Sequence, residues 1–235
     1  MNSFLKITLS GQDAGKFLQG QLTVDVNKLT NRWTPCAISN LKGRVLFGLW
    51  VAHQDDGFAL ITSSDCMEGL VAHFKKYGAF SKFTQSTPAP IHPTTSEGIP
   101  TFSEDEAMAD FDGWAKTSIQ TGNAWITKDT QELFQPQELR LHQRGGVDYD
   151  KGCYLGQEII ARLYFKSSPK AYLHRILLTS DTPNNIQIVN SIHTDEGIEA
   201  LAIGTPDNIA CAGQLLPLPE SLTGDVARST LQAKN

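Results

Sequence analysis

The first regular pattern along the chain is "FLKITLS", from Phe4 to Ser10, which puts Leu5, Ile7 and Leu9 on one face and Phe4, Lys6 and Thr8 on the other. Period-two spacing predicts a β-strand, with an aromatic among polar neighbours on its second face. "SGQDAGKFLQGQL" then turns to helical spacing. Ser10 with Asp13 resembles a capping box, and Ala14, Phe17 and Leu18 share a face. "WTPCAIS", "RVLFGLWVA" and "GFALITSS" read as strands, separated by the turns "NLKG" and "HQDDG". In "SDCMEGLVAHFKKYGAF" a second helix carries Met67, Leu70, Val71, Phe74 and Tyr77 as one stripe, with Asp65 as its cap. With "FSKFT" closing the sheet, this order predicts a ferredoxin-like α+β unit over residues 1–84, its sheet mostly antiparallel.

From Gln85 the periodicity fades. "QSTPAPIHPTTSEGIPTFSEDEAMADFDG" mixes prolines, hydroxyls and acids, and residues 85–113 are expected to form a long, mobile surface linker. "WAKTSIQTGNAWITKD" predicts a strand and turn, and "LFQPQELRL" leads on within a unit spanning 114–170. From "YLHRILLTS" to "LLPLPESL", short alternating runs broken by Gly, Pro and Asn predict a small β-barrel over 171–235.

Composition narrows the function classes. Over 235 residues the formal net charge is -5, so no overall basic field favours nucleic acid or an anionic membrane. The opening residues lack the basic and apolar regions of a secretory signal, and no apolar run reaches membrane-span length. Four scattered cysteines (Cys36, Cys66, Cys153, Cys211) contain no Cys-x-x-Cys pair, which argues against a disulfide framework or a self-contained metal site. A reducing cytoplasm fits this usage best.

Candidate chemistry concentrates in "DKGCYLGQEIIARLYF". A helix beginning near Gly156 or Gln157 would bury Ile159, Ile160 and Leu163 and pair Glu158 with Arg162. Cys153 then stands just before a helix N-terminus with Lys151 two residues away, and both would favour the thiolate. Gly152 and Gly156 would free the flanking backbone. These features leave two readings open, a reactive thiol and a packed structural cysteine. His142 and His174 are nearby in sequence, but no spacing makes either a partner of the thiol.

"KGCYLGQE" resembles the signature of the YgfZ family, folate-binding proteins related to the T-protein, the aminomethyltransferase of glycine cleavage. "LSGQDAGKFLQGQLTVDV", "NLKGRVLFGLWV", "KKYGAFSKF", "FQPQELRL" and "PLPESL" follow in the family's order. The resemblance implies a T-protein-like α+β assembly of ferredoxin-like units with a C-terminal β-barrel, here with a reduced middle portion. It implies a tetrahydrofolate-linked accessory protein that supports assembly or repair of iron–sulfur clusters in transient client enzymes, tRNA-modifying ones included. Cys153 and Lys151 would be the functional pair, framed by Gly152, Tyr154, Gly156, Gln157 and Glu158. Trp114 and Phe4 would stack on the folate, and Lys42 and Arg44 would meet its glutamate tail. Leu46, Phe47 and Gly48 stand where the aminomethyltransferase has acidic residues, so glycine-cleavage activity is not expected. The alternatives are a folate-dependent one-carbon transferase and a folate-free adaptor that docks a partner through the cysteine loop.

Overall fold

The computed structural model describes residues 3–55, 57–178, 185–223 and 226. Strand β1 (Phe4–Ser10) leads to the short helix α1 (Ala14–Gln19), and β2 (Thr34–Ser39), β3 (Val45–Gln54) and β4 (Gly57–Ser63) follow before α2 (Ser64–Tyr77). The chain continues through β5 (Thr84–Gln85), β6 (Ala89–Ser96), β7 (Ile99–Ser103) and α3 (Phe111–Gln120), and after a long irregular stretch α4 (Gln157–Phe165). It closes with β8 (Tyr172–Leu178), β9 (Gln187–Thr194), β10 (Gly197–Gly204), α5 (Pro206–Ala212) and β11 (Gly213–Leu216).

Two antiparallel sheets result. The large one runs β2-β3-β4-β1-β6-β7, with β5 also pairing on β1, and the C-terminal one runs β11-β8-β10-β9. In α2, Asp65 in the first turn and Lys75 and Lys76 in the last complement the helix dipole. Its buried stripe is Cys66, Met67, Leu70, His73 and Phe74, whereas Tyr77 lies exposed at the end. Asp13 caps nothing in α1: its carboxylate accepts from Lys82 N instead, at 2.7 Å. No helix among the described residues is long and apolar enough to cross a membrane.

The large sheet is buried on both faces, and this corrects the reading of Phe4. Ile7 and Leu9 face a core under α1 and α2 that includes Leu18, Phe47, Leu70 and Phe74. Phe4, one pleat away, faces a second core with Trp50, Phe102, Trp114 and Trp125, to which the C-terminal sheet adds Leu173 and Leu201. Only the far end of that face is polar: Lys6 there pairs with Glu104.

Residues 85–113 are not the expected linker. β6 pairs with β1 at Ala89–Ile91 and with β7 from His92 to Ser96, so the segment extends the sheet by a hairpin. Glu97 and Gly98 turn it with φ of 52° and 75°, the positive pair that a two-residue hairpin loop demands. Pro93 faces Phe102 across the hairpin, and Ile91 and Phe102 are buried. Residues 111–120 are helical rather than a strand: Asp110 accepts from Gly113 N at 2.9 Å as a cap, and Trp114, Ala115, Ser118 and Ile119 form the buried side.

Left-handed backbone strains a Glu more than an Asn. Glu97→Asn is therefore expected to raise stability by about 0.5–1 kcal/mol in thermal unfolding. A clear loss would mean that this turn is not formed.

Candidate functional site

Three segments meet at one surface: the exit of α1, the β2–β3 turn and the loop before α4. Together they line an open groove of about 470 Å³ through Gly20 and Gln21, Leu41, and Cys153 to Glu158. These are the segments that carry the sequence motifs.

Lys151 holds the assembly. It is buried, and its Nζ donates to the carbonyl oxygens of Gln19, Leu22 and Val24 at 2.8, 2.6 and 2.8 Å. An ammonium has three hydrogens, so all are used on the main chain of the α1 exit. Burial pulls its pKa down to about 8, against the opposing field of Asp25, so it remains charged at neutral pH. The Tyr154 ring lies 4.8 Å from Nζ. Parallel ties reinforce the clamp: Leu155 N donates to Gly20 O at 3.1 Å and Asp148 N to Thr23 O at 2.9 Å. The fully buried Thr23 hydroxyl donates to Gly146 O at 2.6 Å and accepts from Ala37 N at 2.9 Å. Lys151 therefore positions the loop. Its three hydrogens go to these carbonyls, so none is left to bond the Cys153 thiol directly.

The turn fits the loop through two glycines. Gly156, the residue before α4, has φ of 80°, and a Cβ there would lie 2.4 Å from Asn40 O. Gly43 has φ of 70°, and its Cβ would fall 3.0 Å from Ile159. Gly152, by contrast, has open space around its Cα, so nothing in the packing requires glycine there. Gln21 is held by His73, whose Nε2 donates to its Oε1 at 2.8 Å; burial lowers this imidazole to about 4 and keeps it neutral. Gln157 N donates to Tyr154 O at 3.2 Å, which closes the loop onto the helix. Cys153 and Gly152 are exposed on the rim, with Glu158 and the 79% exposed Leu41 beside them. Cys36 and Cys66 are buried, and their thiols are pushed up by desolvation, Cys66 to about 11. His142 and His174 lie outside the groove, each pushed down to about 4 by burial.

The four residues nominated for folate do not form one site. Trp114 is 0% exposed and Phe4 1%, with ring centroids 4.9 Å apart. Trp50, Phe102, Phe111 and Trp125 surround Trp114 at 5.8, 5.6, 6.0 and 5.1 Å, which leaves no ring face for a pterin. Arg44 donates from Nη1 to Leu133 O, tying the turn to the following core segment, and Lys42 is exposed on the turn. The interior cavity beside this cluster measures about 20 Å³, room for a water and not for a pterin. Phe4 and Trp114 therefore offer no pterin platform in this conformation. Sequence reading missed Gly20, Gln21 and Leu41 as groove residues, although their segments had been singled out.

The fold is that of the aminomethyltransferase T-protein. The glycine cleavage system aminomethyltransferase T from Bartonella henselae superposes with a TM-score of 0.67 over 86% of this chain and 76% of that one, at 10% sequence identity. In sequence the chain resembles YgfZ. It is 26% identical to tRNA-modifying protein YgfZ of Serratia proteamaculans over an alignment of 220 residues covering 72% of this chain and 67% of that one. It is 28% identical to the protein of the same name from Escherichia coli O157:H7, with 71% and 67% covered. No protein-family model matches the chain.

Trp114→Ala is expected to act as a core truncation and to cost about 3–5 kcal/mol in denaturant unfolding. A variant of near-native stability that binds tetrahydrofolate more weakly would restore the ligand role to Trp114.

Proposed function

We propose that this chain acts as YgfZ-like accessory protein in tRNA modification, supporting iron–sulfur enzymes through the Cys153 groove. The observation that carries the proposal is the convergence of the three motif segments on one exposed thiol, held by a buried ammonium that has no other visible task. Buried residues would be a poor choice for contact with a client protein; Cys153, Leu41 and Glu158 stand where a partner can reach them. The acidic net charge of -5 fits an indirect effect on tRNA, through clients that meet the protein transiently in the cytoplasm. Glycine-cleavage chemistry is not part of the proposal, since Leu46, Phe47 and Gly48 offer no ionisable group where the resemblance to the aminomethyltransferase implies acids.

A second reading has a specific observation in its favour. A folate-free adaptor, docking its partner through the same loop, accords with an interior cavity of about 20 Å³ and with Trp114 sealed inside an aromatic core. Tetrahydrofolate is accordingly kept out of the proposed action, and no step depends on it.

The two readings separate in cells lacking the protein. Complementation with the wild type should restore thiolated tRNA nucleosides and the cluster content of the thiotransferase. Cys153→Ser should restore neither while its melting temperature stays within about 2 °C of the wild type, because an exposed side chain contributes little to packing. Full rescue by Cys153→Ser, combined with failure of Leu41→Asp, would replace the thiol function by the adaptor. Full rescue by both would remove the groove from the account.

A further inference from the structure

Arg144 lies outside the Cys153 groove and lines the interior cavity, together with Trp50, Trp125, Ile126, Leu139 and Leu141. Its Nη2 donates to Asn123 Oδ1, and Asn123 is itself fixed by donating from Nδ2 to Ser118 Oγ at 3.1 Å. No carboxylate among the described residues lies within ion-pair distance of the guanidinium. A margin of the Arg144 side chain reaches the surface, yet the surrounding protein is dense enough that burial lowers its pKa to about 10. Even so it is charged at neutral pH.

The part-exposed Arg144 guanidinium meets a neutral amide oxygen and no carboxylate among the described residues, so its charge is open to an anion. The cavity beside it is about 20 Å³, enough for one water-sized occupant. Trp125, which shares the lining, has a buried indole N–H without an acceptor. Indole and guanidinium groups donate and cannot accept, so these two side chains suit an acceptor as guest.

We propose that the cavity beside Arg144 is a binding site for a single small monoanion of halide size, chloride being the ion tested. The site is separate from the thiol groove, and the ion would act as a structural counter-ion joining the 139–144 segment to β2, β3 and the 124–126 segment.

The test is thermal unfolding of the full chain at constant ionic strength, with gluconate replaced stepwise by chloride or bromide. The wild type should gain about 3 °C, saturably, at chloride tenfold above half-saturation. Gluconate, too large for the cavity, should give no such gain, and Arg144→Gln should lose the dependence. An equal response to chloride and gluconate, or an undiminished chloride response in Arg144→Gln, would overturn the site. Should that variant fail to fold, chlorine NMR on the wild type decides: protein-induced line broadening reversed by bromide and not by gluconate supports the site, and its absence refutes it.

Discussion

A buried ammonium holds the site together. Lys151 gives all three of its hydrogens to carbonyls at the exit of α1, and in doing so fastens the cysteine loop to a segment about 130 positions earlier in the chain. Such a charge is expensive to desolvate, and charge-assisted bonds to three oxygens offset that cost only while all of them are made. The geometry is therefore all-or-none: without the ammonium, three main-chain carbonyls, those of Leu22 and Val24 in buried contacts, lose this partner together. Everything else in the groove follows from this contact. Leu155 pairs with Gly20, Gly156 comes to rest against Asn40, and Cys153 is left outside on the rim.

The same logic reassigns the aromatic residues. A sheet covered on one side only would leave Phe4 exposed, and a tryptophan ahead of a polar run would be free to stack. Here α3 and the C-terminal sheet cover the second face, so Phe4 and Trp114 meet edge to face within a cluster of large rings. Aromatic packing of this kind stabilises the junction between the two sheets and closes the interior. What the resemblance to YgfZ assigns to ligand binding, this conformation uses as core.

Some of this was legible in the residues. The alternation in β1, the stripe of α2 and the turn "NLKG" all specify their elements locally, and the "KGCYLGQE" block marked the loop that lines the groove. The β6–β7 hairpin was hidden because Pro90, Pro93 and Pro100 with their hydroxyl neighbours look like loop; only Ile91 and Phe102 carry the apolar signal. Helix α3 was misread as a strand, although Asp110 as cap and the spacing of Trp114, Ser118 and Ile119 describe a helix. Lys151 was seen as a neighbour of Cys153 because the two lie close in sequence. Its true partners are carbonyls of distant residues, and main-chain acceptors leave no mark on side-chain identity. Gly20, Gln21 and Leu41 became groove residues only through the same long-range contact.

The central claim is that Lys151 is a clamp on the loop. Hydrogen exchange measured by residue in the wild type and in Lys151→Met tests it directly, because the amides of Leu155 and Asp148 donate across the clamped interface. The account predicts that both amides lose protection in the variant, by about tenfold or more, while those of β3 and β4 keep theirs. Unchanged protection at Leu155 and Asp148 in a folded Lys151→Met protein would contradict it.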